Sequence, residues 1–492
     1  MTAVLADLVA LDPCRGRGLS ADLTAQLRDL IARGRLAPGA MLPSSRLFAQ
    51  DLGVSRNTVM AAWEQLAAEG YLVVRQGCRP VVAAQGGFAP GPARGPDDLG
   101  RNGLAAGPAL SAWAAALPAA PAETGLRPFR TGFPDAREFP HAAWARCLRE
   151  AARRPPPGPP FVANSPALQT ALLDHLAAAR GVRASPDQVV LLPSARAALA
   201  LIAAILLDPG DEAWMEDPGY PGSWAALRAA RARIRPIPVD AGGLTLPEDG
   251  PAPKLVVTTP SHQFPTGGLM PLSRRRALLR RAEAAGAIVV EDDYDGEFHF
   301  DGAPVPALQA LDEAGCVVYA GTFSKATLPA IRIGTMVVPR PLLAPVLAAQ
   351  RQLGLFAASP VQDALALFLR RGHYRAHVRR VRRLYRERRD RLVAALRAHC
   401  ADRLDVAAPA GGLQLLATLR DGGDDVAVAA RAATRGLDVL PLSRLHAGPT
   451  DRAGLLLGFA SCRPQELDAA AMRLAEALAV GDADPDLVGS AV

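Results

Sequence analysis

Lysine is nearly absent from this chain. Of its 55 lysine and arginine residues, only Lys254 and Lys325 are lysines. Arginine stays protonated and forms no stable imine, whereas a desolvated lysine can lose its proton and attack a carbonyl. A lysine kept against such a bias is a candidate for chemistry. Cysteine is sparse and scattered: Cys14, Cys78, Cys147, Cys316, Cys400 and Cys462 contain no C-x-x-C pair. That excludes a disulfide framework and a cysteine zinc site, and it fits reduced thiols in the cytoplasm. Long hydrophobic runs are missing too. The longest, 197–207, is too short to cross a bilayer and reads as a core helix. Residues 1–12 lack the basic start of a secretory signal. A cytoplasmic protein with no membrane contact is expected.

What is present points to two or more domains. The chain has 492 residues, half of them hydrophobic, which supports a large buried core. Its net charge of +7 admits an anionic partner.

The first part reads as a basic helical head. Leu23, Leu27, Leu30 and Ile31 recur at helical spacing over 20–33. Pro38-Gly39 breaks the chain. Ser44 or Ser45 can cap a second helix that runs through Leu52 and ends at Gly53. Ser55 caps a third helix over 56–69, closed by Gly70, with Val59, Trp63 and Leu66 on one face. Two strands, 71–74 and 80–83, then flank the basic tip Arg75-Gln76-Gly77-Cys78-Arg79. Together these elements make a winged helix-turn-helix. The third helix opens with Ser55-Arg56-Asn57-Thr58, and side chains there suit guanine and adenine edges and phosphates.

A connector follows over 85–125, rich in Ala, Pro and Gly, with one short helix near 110–117. From Phe129 onward apolar strands alternate with helical segments, an α/β pattern. Four strands end in polar clusters. Val189-Val190-Leu191-Leu192 leads into Pro193-Ser194-Ala195-Arg196. Leu255-Val256-Val257 leads into Thr259-Pro260-Ser261-His262-Gln263-Phe264-Pro265-Thr266-Gly267. Ile288-Val289-Val290 leads into Glu291-Asp292-Asp293-Tyr294-Asp295. Cys316-Val317-Val318-Tyr319-Ala320 leads into Gly321-Thr322-Phe323-Ser324-Lys325. Ligands of open α/β sheets sit at the carboxyl ends of parallel strands, so the four clusters are expected to line one pocket.

Each cluster has a use for an aldehyde cofactor with a phosphate and a pyridine ring. Lys325 supplies the Schiff-base amine. Ser194, Ala195 and Arg196 open a helix whose N-terminus binds phosphate, and Thr322, Ser324 and Arg332 add donors. Asp292 keeps the pyridine nitrogen protonated, and Tyr294 bonds the ring oxygen. A metal at Glu291, Asp292, Asp293 and His262 is not expected, because these residues lack tight ligand spacing. The arginine-dense stretch 379–391 reads as the solvated face of a long helix, with Val381, Leu384, Leu392 and Leu396 on the apolar stripe.

Two resemblances follow. Leu36-Ala37-Pro38-Gly39, Leu42-Pro43-Ser44-Ser45-Arg46, Leu52 to Val59 and Glu69-Gly70-Tyr71-Leu72 resemble the GntR-type DNA-binding domain. That resemblance implies that Arg46, Arg56, Asn57, Thr58 and Gly77 lie at the DNA, with Arg79 standing where the wing usually has a second glycine. The body resembles fold-type I aminotransferases. As a whole the chain is similar to the MocR/GabR subfamily of GntR regulators, a winged helix fused to an aminotransferase-like domain. Glu216-Asp217-Pro218-Gly219-Tyr220 and Gly372-His373-Tyr374-Arg375-Ala376-His377 support this.

The resemblance implies a winged-helix domain at 14–84, a linker at 85–125, a pyridoxal 5'-phosphate-binding body at 126–480 and a tail at 481–492. It also implies a homodimer on a double-stranded DNA operator, with Tyr220 facing the cofactor. The expected effector is pyridoxal phosphate or its adduct with an amino compound, and the expected targets are genes of amino-acid or vitamin B6 metabolism. The alternative is an active aminotransferase with a DNA-binding head.

Three stretches depart from the aminotransferase pattern. Leu192 to Arg196 replaces the usual T-x-G-x-Q phosphate turn. Residues 159–164 lack the tyrosine that reaches a partner's cofactor. Leucines at 455–457 stand where a carboxylate-gripping arginine is usual, with Arg444 and Arg452 as nearby substitutes. Loss of that anchor favours regulation over turnover.

Overall fold

The structure is a computed structural model. It describes residues 5–6, 8–11, 18–75, 78–83, 110–117, 125–153, 163–301 and 305–479. The chain divides into two compact units, 1–112 and 113–492.

In the first unit α1 (Leu19–Ala32), α2 (Ser45–Leu52) and α3 (Arg56–Ala68) pack around a small core. Leu23, Leu27 and Ile31 of α1 meet Val59, Ala62, Trp63 and Leu66 of α3. Phe48 of α2 stacks on Trp63, with ring centroids 6.3 Å apart. The ends follow local chemistry. The Ser44 side chain accepts the Leu47 amide, and Gly53 ends α2 in a left-handed conformation at φ +66°. Ser55 caps α3 by accepting the Thr58 amide. The strands are shorter than expected: β1 (Leu72–Val73) pairs with β2 (Val81–Val82). Only one side of this ribbon is packed, since Leu72 and Val82 are buried while Val73 and Val74 are exposed. Gly77 lies outside the described residues.

The second unit is built on an eight-stranded sheet. Its strands are β3 (Val189–Leu192), β4 (Glu212–Asp217), β5 (Arg233–Asp240), β6 (Gly243–Leu244), β7 (Leu255–Thr258), β8 (Ile288–Asp293), β9 (Val317–Thr322) and β10 (Gly334–Val337). Their order is β3-β10-β9-β8-β7-β4-β5-β6. From β9 through β5 the neighbours are parallel, and β10 runs against both β3 and β9. Alternate residues feed opposite cores. Val190 and Leu192 join one cluster, with the helix over Ala195–Leu206, and Val189 and Leu191 join the other. Burial on both faces explains why these strands are continuous apolar runs.

A smaller antiparallel sheet, β11 (Leu404–Val406), β12 (Gln414–Leu419), β13 (Leu440–Pro441) and β14 (Gly454–Gly458), has the order β11-β12-β14-β13. A long helix, His373–His399, packs beside it. Val381, Leu392 and Leu396 are buried along this helix. The expectation that its arginines are a solvated face needs correction at two positions. Arg388 and Arg389 are buried: Arg388 pairs with Asp135 at 2.9 Å and Arg389 with Asp301. The five described cysteines are free, and no described helix is long and apolar enough to cross a membrane.

Candidate functional site

Five strand ends converge at one edge of the large sheet because β3, β4, β7, β8 and β9 share a direction. They enclose a cavity of about 590 Å³. Ser194, Ala195, Arg196, Tyr220, Asp292, Tyr294, Thr322, Ser324, Lys325 and Arg332 all line it. The sequence scatters these residues over some 140 positions, and the sheet order gathers them.

Lys325 follows β9 on a tight turn in which Thr322 Oγ1 accepts the Ser324 amide at 3.2 Å. Its Nζ donates to the Gly132 carbonyl at 2.7 Å. Burial pushes its pKa below the usual lysine value. Asp295 opposes that, Arg196 adds to it, and Asp292 opposes it. An amine so placed gives up its proton more readily than a surface lysine.

Asp292 stands at the end of the adjacent strand β8. It is buried, and its Oδ1 has no hydrogen-bond partner. Burial and the neighbouring Asp293 push its pKa up to about 7, against the pull of Lys325. An unpartnered buried acceptor costs free energy. The N–H of a protonated pyridine would satisfy this oxygen, so the residues present fit such a ring. Asp293, the next residue, faces elsewhere: Arg180 Nε donates to it at 2.8 Å and the Tyr319 hydroxyl at 2.7 Å.

The opposite end of the cavity suits an anion. Ser194 caps the helix Ala195–Leu206 through the Ala197 amide, and the first-turn amides have no partner within the helix. Gly334 allows this approach, since a Cβ there would lie 2.4 Å from the Ser194 carbonyl carbon. Arg196 Nε donates to the Tyr220 hydroxyl at 2.6 Å, and its guanidinium lies 5.6 Å from that ring's centroid. Arg332 is exposed at the rim, with φ +55° at the end of the short turn Pro329–Ile331.

A buried carboxylate braces the frame. Glu216 of β4 accepts the Thr258 and Thr259 hydroxyls, each at 2.6 Å, and the Thr259 amide at 3.0 Å. Burial raises its pKa despite these donors. Glu291 accepts the Leu308 amide at 2.7 Å and the Gln309 amide at 3.0 Å. These acids are engaged in structure, and among the described residues no group of three or more His, Cys, Asp or Glu could hold a metal ion.

Several lining residues carried no local signal. Thr131, Gly132, Phe133, Leu413, Gln414 and Leu440 come from distant parts of the chain. Gly132 has φ +76°, and a Cβ there would lie 2.6 Å from Lys325 Nζ. The positive φ favours glycine here, and an added methyl group would displace the amine from this position. Arg444 and Arg452, the expected substitutes for a carboxylate anchor, are exposed and do not line the cavity. Leu456 is buried with Phe264, Leu442 and Leu445 on that side. The described cations of the lining are Arg196, Lys325 and Arg332.

In the first unit Arg46, Ser55, Arg56 and Asn57 are exposed and Thr58 is half-buried. The Ser55 and Thr58 hydroxyls are 2.8 Å apart and serve the helix cap. Arg56 Nε donates to Ser45 Oγ at 3.2 Å, which ties the start of α3 to that of α2.

Comparison with known proteins matches both units. Residues 19–82 match the bacterial regulatory proteins of the gntR family, and residues 160–474 match aminotransferase class I and II. The chain is 38% identical over 452 residues to the probable rhizopine catabolism regulatory protein MocR of Rhizobium meliloti, covering 90% of each chain. It is 34% identical over 483 residues to the pyridoxine biosynthesis transcriptional regulator PdxR of Corynebacterium glutamicum, covering 97% of this chain and all of that one. Among solved structures, an archaeal alanine:glyoxylate aminotransferase superposes with a TM-score of 0.68 at 26% identity, covering 72% of this chain and 91% of that chain. The kynurenine aminotransferase of Pyrococcus horikoshii gives 0.67 at 27% identity, with the same coverage.

Proposed function

The chain belongs to the GntR-family transcription regulators of MocR type, and from that premise we propose that filling the cavity at Lys325 sets how tightly its head holds an operator. Pyridoxal 5'-phosphate is the cofactor of the aminotransferase-like body. When bound, it supplies an electrophilic carbonyl and a pyridine ring that draws electrons. Lys325 provides the amine that joins it. Asp292 receives the ring N–H, and Tyr294 bonds the ring oxygen. Ser194, Ala195, Arg196, Thr322, Ser324 and Arg332 take the phosphate, and Tyr220 covers the ring. One observation carries the reading: the buried amine of Lys325 and the unpartnered oxygen of Asp292 line the same cavity, at the ends of neighbouring strands.

The effector is the cofactor itself or its adduct with an amino compound. Arg196 and Arg332 are committed to the phosphate, and the rest of the wall includes Phe133, Phe264, Leu413 and Leu440. An amine with a neutral body fits this wall better than an amino acid does. Among the described lining residues no cation is left for an α-carboxylate once Arg196 and Arg332 hold the phosphate, which favours switching over turnover, because turnover needs the substrate held in register. An effector changes DNA binding only through unequal affinity for two arrangements of the protein. Bodies of this kind pair, and a homodimer would offer two heads to paired half-sites.

Arg46, Arg56 and Asn57 would meet the DNA, with Ser55 and Thr58 holding the helix start. The test is operator affinity by fluorescence anisotropy, using the promoter region beside the gene. It is measured for the cofactor-free protein, for the loaded protein, and with added amines. Equal affinity in every state, and for Lys325→Ala, would refute control through the cavity. Steady conversion of an amino donor and a keto acid would instead establish an enzyme.

A further inference from the structure

His262 stands beside the cavity with one ring nitrogen engaged and the other buried without a partner. Its Nδ1 lies 2.8 Å from Asp295 Oδ2 and 3.0 Å from the Tyr294 hydroxyl. Two glycines close around the ring. A Cβ at Gly412 would lie 2.4 Å from Cε1, and one at Gly267 would lie 3.2 Å from Nε2. Both have positive φ, +85° and +77°. The imidazole is therefore fixed in place, and Nε2 is buried without a partner.

An ionised carboxylate only accepts, so Nδ1 carries a hydrogen directed at Asp295. That same N–H is within reach of the Tyr294 oxygen, which then acts as an acceptor. Burial, and then Asp295, raise the Tyr294 pKa well above the usual phenol value, so the hydroxyl keeps its hydrogen. Two acceptors compete for this hydrogen: Asp295 on one side and whatever fills the cavity on the other. With His262 donating to Asp295 Oδ2, that carboxylate pulls less on the hydrogen, and the balance shifts toward the cavity. Without His262, Asp295 competes for it with its full charge. Asp293, Arg180 and His299 are the other charged or titratable groups around this corner.

We propose that His262 is a positioning residue for the cofactor, which by donating to Asp295 and to the Tyr294 oxygen favours a Tyr294 O–H directed at the ring oxygen of bound pyridoxal phosphate. This deepens the reading above and rests on it, since it needs Tyr294 to face that oxygen. A donor at the ring oxygen stabilises the extra negative charge left when the covalent link to Lys325 gives up its proton. Losing the donor therefore raises the pH at which the visible band changes.

The experiment loads the full-length chain with pyridoxal phosphate and records the pH midpoint of its visible band. Tyr294→Phe should raise the midpoint. His262→Phe should raise it by at least half as much, and His262→Asn, which keeps an N–H near the Nδ1 position, should restore most of the wild-type value. His262→Gln moves its amide away from that position and carries the same expectation as His262→Phe, should the apolar variant not fold. A wild-type midpoint in His262→Phe or His262→Gln, alongside a displaced one in Tyr294→Phe, overturns the role of His262. An unmoved midpoint in Tyr294→Phe overturns instead the placement of Tyr294 at the ring oxygen.

Discussion

Asp292→Asn should make the cofactor-free protein more tolerant of alkaline pH while destroying its hold on the cofactor. Burial and Asp293 raise Asp292 from 3.8 to about 7 in the folded chain. The folded state therefore binds a proton that the unfolded state has released between about pH 4 and 7. Stability accordingly falls as pH rises through that window, and the full cost is reached above it. Roughly three pH units correspond to about 4 kcal/mol at most. Between pH 5 and 8 the same linkage leaves a loss on the order of 2–3 kcal/mol. Glu291, also held at about 7, contributes to wild type and variant alike and cancels in the difference. Urea unfolding of the body at pH 5 and pH 8, without cofactor, measures this difference directly. The variant should lose about 2–3 kcal/mol less than wild type over that interval. Saturating pyridoxal phosphate should then stabilise wild type and leave the variant almost unchanged. Equal pH slopes in the two proteins would show that Asp292 is not the strained acid inferred here.

Other outcomes follow from the same geometry. Lys325→Ala should abolish the visible band of the loaded protein, read by absorbance. Gly132→Ala puts a methyl group where Lys325 Nζ sits and strains a left-handed backbone. It should slow or prevent loading with little loss of secondary structure by circular dichroism. Arg56→Ala should weaken operator binding by about 1–3 kcal/mol if the side chain reads a base, measured by anisotropy. Wild-type affinity should also fall steeply with added salt, as phosphate contacts require.

Local signals in the sequence were reliable where one residue does one local job. Ser55 before an apolar helix gives the cap of α3, and Gly53 gives the end of α2, because both act within a few residues. The strand-end clusters were legible for a related reason: a polar turn interrupts a fully apolar run. Gly132 was not legible, because its constraint comes from an amine 193 positions away. The Glu216 brace was equally hidden, since its partners lie on another strand more than 40 residues later. His262, weighed in the sequence only as a metal ligand, owes its setting to Asp295 and to Gly412, both far along the chain. The buried arginines of the long helix failed the expectation for a physical reason. Asp135 and Asp301 approach from outside that helix, and helical periodicity cannot report them.

The reversed strand β10 fixes the scale of what can be recognised. It separates β3 from β9, so the turn that begins at Ser194 and the turn that carries Lys325 start two strand spacings apart, roughly 10 Å. A phosphate between them would draw on Ser194 to Arg196 and on Thr322 and Ser324, yet would leave Lys325 and the Asp292 oxygen unengaged. A guest that also reaches that amine and that oxygen must extend well beyond its acid end, so the width of a single strand already works as a ruler.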